Sequence, residues 1–213
     1  MRYPVGALDV YTLYSFRVVA YTRIGDGPSS AVVYIRTGET APTGAPQNLR
    51  FISADITSVS FDWDAPLLAQ QNGIIVNYTV SYRRSPTMDA MYDNVSDSIK
   101  TVDVLGRNFS LTGLESFVIY DVTVRAATRV GAGPASLLVS MKTLESVPEG
   151  PPSSMTTSVL NSTGLRVTWG DVRPRDQHGV IVGYRVVATR AADVTSCSSV
   201  VCVASDQCHA IGS

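Results

Sequence analysis

The chain has 213 residues, a formal net charge of −1 and an isoelectric point near 6.1, so it carries no basic footprint for nucleic acid. Apolar residues make up 45% and charged residues only 16%, enough for packed cores beneath a surface rich in Ser, Thr and backbone. No stretch approaches the roughly 18 apolar residues of a membrane span, and Met1-Arg2-Tyr3-Pro4 does not open a signal peptide, because Asp9 interrupts any apolar run.

Alternation with a period of two marks half-buried strands along the chain. Tyr14, Phe16, Val18 and Ala20 form the first such set. Gly25-Asp26-Gly27-Pro28 is expected to separate it from the next strand, glycine supplying positive φ and proline refusing a central ladder. A short proline-bearing linker is expected over Gly38–Ala45. Val59, Phe61 and Trp63 then alternate with Ser58, Ser60, Asp62 and Asp64. Gln71-Asn72-Gly73 introduces Val76, Tyr78, Val80 and Tyr82, which alternate with Asn77, Thr79, Ser81 and Arg83. Thr112-Gly113 precedes Leu114, and Tyr120, Val122, Val124 and Ala126 form a further inward set. Gly131-Ala132-Gly133-Pro134 repeats the earlier turn signal, and Leu144–Pro151 reads as a second linker. Leu165, Val167 and Trp169, then Gln177-His178-Gly179, then Val182, Tyr184 and Val186 close the series. The inward sets are mostly β-branched and aromatic, and no window has helical periodicity.

These elements recur at one spacing. Trp63, Gly73 and Tyr78 return 106 positions later as Trp169, Gly179 and Tyr184, and Leu8, Tyr14, Gly133's counterpart Gly27, and Thr37 stand 106 before Leu114, Tyr120, Gly133 and Thr143. A repeat that long is a whole domain. About seven short strands per repeat predict an antiparallel β-sandwich. The fold class is all-β, in tandem immunoglobulin-like units: residues 1–38 are the C-terminal part of one, 45–144 a complete one, and 149–190 the N-terminal part of another. Residues 191–213 lose the repeat and form a divergent tail holding Cys197, Cys202 and Cys208.

The middle unit resembles the fibronectin type III domain. The marks are Ala45-Pro46-Gln47-Asn48-Leu49 at its entry, Trp63 on the second strand, Asn72-Gly73 leading to Tyr78, Leu114 with Tyr120, and Gly131-x-Gly133-Pro134-x-Ser136. Residues 3–37 and 149–190 match the end and the beginning of the same pattern. The resemblance implies that Trp63 and Tyr78 pack between two sheets. It also implies that Tyr120 fills a tyrosine corner with its hydroxyl on backbone near Leu114. Trp169, Tyr184 and Tyr14 take the corresponding places in the flanking units. All of these aromatics read as structural core and none as a ligand site.

Four Asn-x-Ser/Thr acceptors stand at Asn77, Asn94, Asn108 and Asn161, out of six asparagines in the chain. With Ser and Thr about a fifth of the residues, chance would supply roughly one. Asn77 and Asn108 fall on the outward phase, Asn94 in a loop and Asn161 in a turn, and they point to an extracellular setting. The cysteines lack the two-residue spacing of zinc clips, and no metal or cofactor is expected. His178 reads as a solvent-facing turn residue; Asp62 and Asp64 flank Trp63 on the outward phase. No nucleophile has a base at useful spacing, so catalysis is not expected. The integrin-binding Arg-Gly-Asp is absent, Ile24 intruding in Arg23-Ile24-Gly25-Asp26, and so is the Trp-Ser-x-Trp-Ser box of cytokine receptors.

The expected function is protein–protein recognition and spacing in the extracellular part of a cell-surface receptor or adhesion protein. The chain resembles segments of receptor-type tyrosine phosphatases, sidekick-like adhesion molecules and usherin-like proteins. The alternatives are an intracellular tension-bearing array, and the ectodomain of a receptor enzyme whose catalytic domain lies elsewhere. The expected partners are other proteins, not nucleic acid. The two partial units together amount to one domain, so head-to-tail association between copies is a further expectation.

Overall fold

The computed structural model describes residues 2–88, 98–189, 197–203 and 207–210, in two units, Met1–Thr143 and Leu144–Ser213. In the first unit the alternating segments form β1 (Leu13–Phe16), β2 (Val19–Tyr21), β3 (Asp26–Ser29) and β4 (Val33–Arg36). β1 pairs with β4 and β2 with β3, both antiparallel.

The chain then builds β5 (Gln47–Ala54), β6 (Ser58–Asp64), the single helical turn α1 (Leu68–Gln71), β7 (Asn77–Arg84), β8 (Lys100–Val104), β9 (Asn108–Thr112), β10 (Ile119–Ala127), β11 (Ala132–Ala135) and β12 (Val139–Lys142). One sheet runs β5-β6-β9; the other runs β11-β10-β7-β8, with β12 also on β10. If β11 and β12 are one last strand interrupted between them, this is a seven-stranded antiparallel sandwich. Period two decides which side chains meet. Val59, Phe61 and Trp63 from β6 bury against Tyr78 and Val80 from β7 and Tyr120, Val122, Val124 and Ala126 from β10, with Leu111, Leu114, Val118 and Met141 closing the ends.

The second unit holds β13 (Ser153–Asn161), β14 (Gly164–Gly170), the helical turn α2 (Pro174–Gln177), β15 (Gly183–Thr189), β16 (Cys197–Val203) and β17 (Gln207–Ala210). β13 pairs with β14, and β15-β16-β17 form a second sheet. The tail, which lost the sequence repeat, still pairs as the next strand in order: β16 lies against β15 with Tyr184 opposite Cys202, as β8 lies against β7 with Tyr78 opposite Val104. Ladder pairing uses backbone groups, so it survives a change of side chains.

Two sequence expectations need correction. The Gly-x-Gly-Pro segments are not turns: β3 and β11 run through them, and the turns close just before, where Thr22 N–H donates to Gly25 O and Thr128 N–H to Gly131 O. Of the glycines in these segments only Gly25 has positive φ, at 159°, while Gly27, Gly131 and Gly133 do not; Gly113, at φ 70°, also does. The turns α1 and α2 were also not expected, since four residues are too few to show a period.

The connection into β10 is held by one threonine and one tyrosine. Glu115 N–H donates to Tyr120 Oη at 3.0 Å, Val118 N–H donates to Thr143 Oγ1 at 2.9 Å, and Thr143 Oγ1–H donates to Glu115 O at 2.7 Å. The first piece repeats the pattern: Asp9 N–H to Tyr14 Oη at 2.8 Å, Thr12 N–H to Thr37 Oγ1 at 2.9 Å, Thr37 Oγ1–H to Asp9 O at 2.7 Å. Thr143→Val keeps the shape and removes the hydroxyl, leaving the buried Val118 N–H without its acceptor. Chemical denaturation should then show a loss of about 1–3 kcal/mol. The same change at the half-exposed Thr37 should cost less, because water can replace the lost partner.

Candidate interaction surfaces

Of the aromatic residues singled out in the sequence, Trp63, Tyr78 and Tyr120 lie in the core of the middle sandwich. Trp63 is buried and meets Tyr78 edge-on, ring centroids 5.4 Å apart at 68°. Trp169 and Tyr184 repeat the pair at 5.6 Å and 62°, but both are half-buried. Leu114 and Tyr120 are buried, and Tyr14 is half-buried. Burial raises the Tyr78 hydroxyl above its ordinary pKa, with Arg107 pulling partly the other way. The unfolded chain would ionise first, so this contribution to stability is present at neutral pH and lost as the pH climbs through the phenol range.

The joint of each linker with the sandwich it enters is a built structure. Thr40 N–H donates to Asn72 O at 3.0 Å, Thr43 N–H to Gln70 O at 2.9 Å and Gly44 N–H to Gln70 O at 3.3 Å, so the linker lies along α1. Thr128 Oγ1–H donates to Thr40 O at 2.8 Å from the other side. In the second unit Ser146 N–H donates to His178 O at 2.7 Å, Glu149 N–H to Asp176 O at 2.9 Å and Gly150 N–H to Asp176 O at 3.5 Å. Each of these bonds is its counterpart shifted by 106 positions. Gln71 Nε2 and Gln177 Nε2 brace the two turns alike, donating to Pro66 O and Val172 O at 2.8 Å. Asn72 and His178 both cap their turns with φ near 50°, a left-handed conformation that Asn tolerates well. His178 is therefore not a free turn residue: it is half-buried, holds the second linker through its carbonyl and stands 3.6 Å from Glu149.

A further repeat lies beside the first joint. Tyr11 (φ 49°) and Phe117 (φ 58°) both sit in the left-handed region, which costs a bulky residue about 1–3 kcal/mol. Each ring carries a cation, Arg36 at 4.6 Å from the Tyr11 centroid and Lys142 at 3.2 Å from the Phe117 centroid. Tyr11 and Arg36 line an open groove of about 730 Å³ against Thr43, Leu68 and Asn72, where the first piece meets the middle sandwich.

The outer face of β5-β6-β9 is polar. Arg50 Nε bonds Asp62 Oδ1 at 2.8 Å and Asn48 Nδ2 donates to Asp64 Oδ2 at 2.8 Å, with Arg50 also 3.7 Å from Asp64. The hydrogen bond to Asp62 raises the Arg50 pKa further. Asp62 and Asp64 are thus held by neighbours, a surface arrangement that contributes little to stability. Of the acceptor asparagines, Asn77 is half-buried on β7, Asn108 exposed on β9, Asn161 exposed at the end of β13, and Asn94 lies outside the described residues. In the second unit Trp169, Tyr184, Met155, Val167, Val172 and Val186 line an apolar groove of about 470 Å³.

The profile of the fibronectin type III domain matches residues 44–142. Receptor-type tyrosine-protein phosphatase F of Danio rerio is 38% identical over 188 residues, which cover 88% of this chain and 10% of that protein. Cell adhesion molecule Dscam1 of Drosophila melanogaster is 34% identical over 86% of this chain and 9% of its own length. Protein sidekick-2 of Gallus gallus is 30% identical over 95% of this chain and 9% of its own length. The chain thus spans about a tenth of the length of these curated relatives.

Proposed function

Since residues 44–142 are a fibronectin type III domain, we propose that this chain is a non-catalytic spacing and protein-recognition segment in the extracellular part of a cell-surface receptor or adhesion protein. The observation that carries the reading is the recurrence of the joint. The same backbone bonds tie the linker to α1 and to α2, at Thr40–Asn72 and at Ser146–His178. A chain that repeats its linker bonds as faithfully as its cores gives each linker the same local conformation, which supports a spacer's role. The likeness to a receptor-type phosphatase and to adhesion molecules supports the cell-surface part. Recognition falls to exposed loops and outer faces, because Trp63, Tyr78 and Tyr120 are spent on packing.

The reading is tested on cells making the whole native protein, with an antibody raised against residues 45–144. Staining of intact, unpermeabilised cells is the expected result. Staining only after permeabilisation overturns the extracellular assignment and favours a tension-bearing array inside the cell.

A further inference from the structure

The acceptor asparagines are not equivalent in the fold, and we propose that Asn108 and Asn161 carry N-linked glycans while Asn77 does not. The inference rests on the extracellular reading above, since the modification requires the secretory route.

Asn161 ends β13, and only Ser162 and Thr163 separate it from β14. Thr163 N–H donates to Asn161 Oδ1 at 3.0 Å and Thr163 Oγ1–H donates to the same oxygen at 3.2 Å. A backbone N–H can only donate, so it fixes the amide oxygen toward the turn and turns Nδ2 away. Nδ2 is the atom that receives the sugar, and the residue is exposed.

Asn108 opens β9, an outer strand of the β5-β6-β9 sheet. It is exposed, opposite Asp62 on β6, and Ser110 shares its face. The Ser110 hydroxyl is 2.7 Å from Ser60 Oγ, also at the surface. A sugar on Asn108 meets water on one flank and the polar Arg50–Asp62 face on the other, and neither requires burying a hydroxyl.

Asn77 differs in its exposure and in its place in the sheet. It begins β7, which has β10 on one side and β8 on the other, and Ala127 stands opposite. The residue is half-buried, and the hydroxyl of its Thr79 is donated to Asp103 Oδ1 at 2.6 Å. A sugar there would lie against β10, which pairs with Asn77 itself at Ala127, while the ladder to β8 begins one residue on, at Tyr78.

The transfer itself is a substitution at the sugar. A bond forms between Nδ2 and the anomeric carbon of a lipid-diphosphate oligosaccharide, the bond from that carbon to the diphosphate oxygen breaks, the lipid diphosphate leaves, and Nδ2 gives up one proton.

The test expresses the full chain behind a secretion signal in animal cells, with Asn94→Gln so that three acceptors remain. The medium and the cell-retained pool are both treated with N-glycosidase in heavy-oxygen water, and peptides are read by mass. Isotope-marked aspartate at positions 108 and 161, with Asn77 unmarked, is the expected result. Adding Asn108→Gln and Asn161→Gln should then abolish the mobility shift that the glycosidase produces. An unmarked residue at 108 or 161, or a marked one at 77, overturns the proposal. Marks on the signal-driven chain but none on protein from its native source would instead sink the extracellular reading and leave the site assignment standing.

Discussion

Replacing Trp63 by Ala is expected to destabilise the middle domain by about 3–5 kcal/mol, the range for deleting a buried large aromatic ring. Trp63 is 1% exposed, with Tyr78 edge-on at 5.4 Å and Phe61 tilted at 5.8 Å. Both sheets contribute to its cage, so neither can close the gap without moving strands. Domains of this size have about 5–15 kcal/mol in total, so the variant gives up about a fifth or more of its margin. Amide exchange at Val80 and Val124, in the strands facing the ring, reads the loss for this domain alone. Trp63→Phe should cost distinctly less, for two reasons. It keeps an aromatic ring in the cage, and the indole Nε1–H it removes is buried with no acceptor among the described residues. Trp169→Ala is the internal comparison: that ring is half-buried, so the transfer term it forfeits is smaller. A Trp63→Ala loss of less than about 1 kcal/mol would mean that the indole is not what joins the sheets.

How much of this was legible beforehand depends on which atoms do the work. Side chains that face a core obey a period of two, so Val59, Phe61, Trp63 and the β10 set could be read directly as all-β. The fibronectin type III pattern likewise follows from Trp63, Tyr78 and the Gly-Pro segment at fixed offsets. The joints could not be read that way. They are made by the N–H groups of Thr40, Thr43, Ser146 and Glu149 and by carbonyls of α1 and α2, and every residue carries such groups. Sequence spacing did hint at them, since the 106-residue register runs through the linkers as well as the strands. The acceptor asparagines show the same limit: a tripeptide reveals an outward phase, but not that Asn77 is half-buried beside Ala127 of β10. Gly133 was legible as a requirement and misread as to reason, because glycine serves close approach as often as positive φ.

That close approach makes Gly133 the position where a single methyl should loosen the joint. A Cβ there would lie 2.8 Å from Pro42 O and 2.9 Å from Pro42 Cβ, so either β11 or the linker must shift. β11 is held in the sheet by β10, with Arg125 opposite Ala135 and Ala127 opposite Ala132. The linker is held by three backbone bonds on α1 and by Thr128, and it is the part free to lift. Gly133→Ala is therefore expected to raise amide exchange at Thr40 and Thr43 while leaving Val80 and Val124 protected. The accompanying loss of stability should be about 1–3 kcal/mol, the usual cost of overpacking. Gly131→Ala is the matched control two residues away. Its added methyl would find Ala41 Cβ at 3.7 Å, an ordinary contact, and exchange at Thr40 should not change. If both variants loosen the linker equally, the effect belongs to glycine's backbone freedom in and just before β11. If only Gly133→Ala does, the seat of the linker on the middle sandwich is set by how closely β11 can approach Pro42.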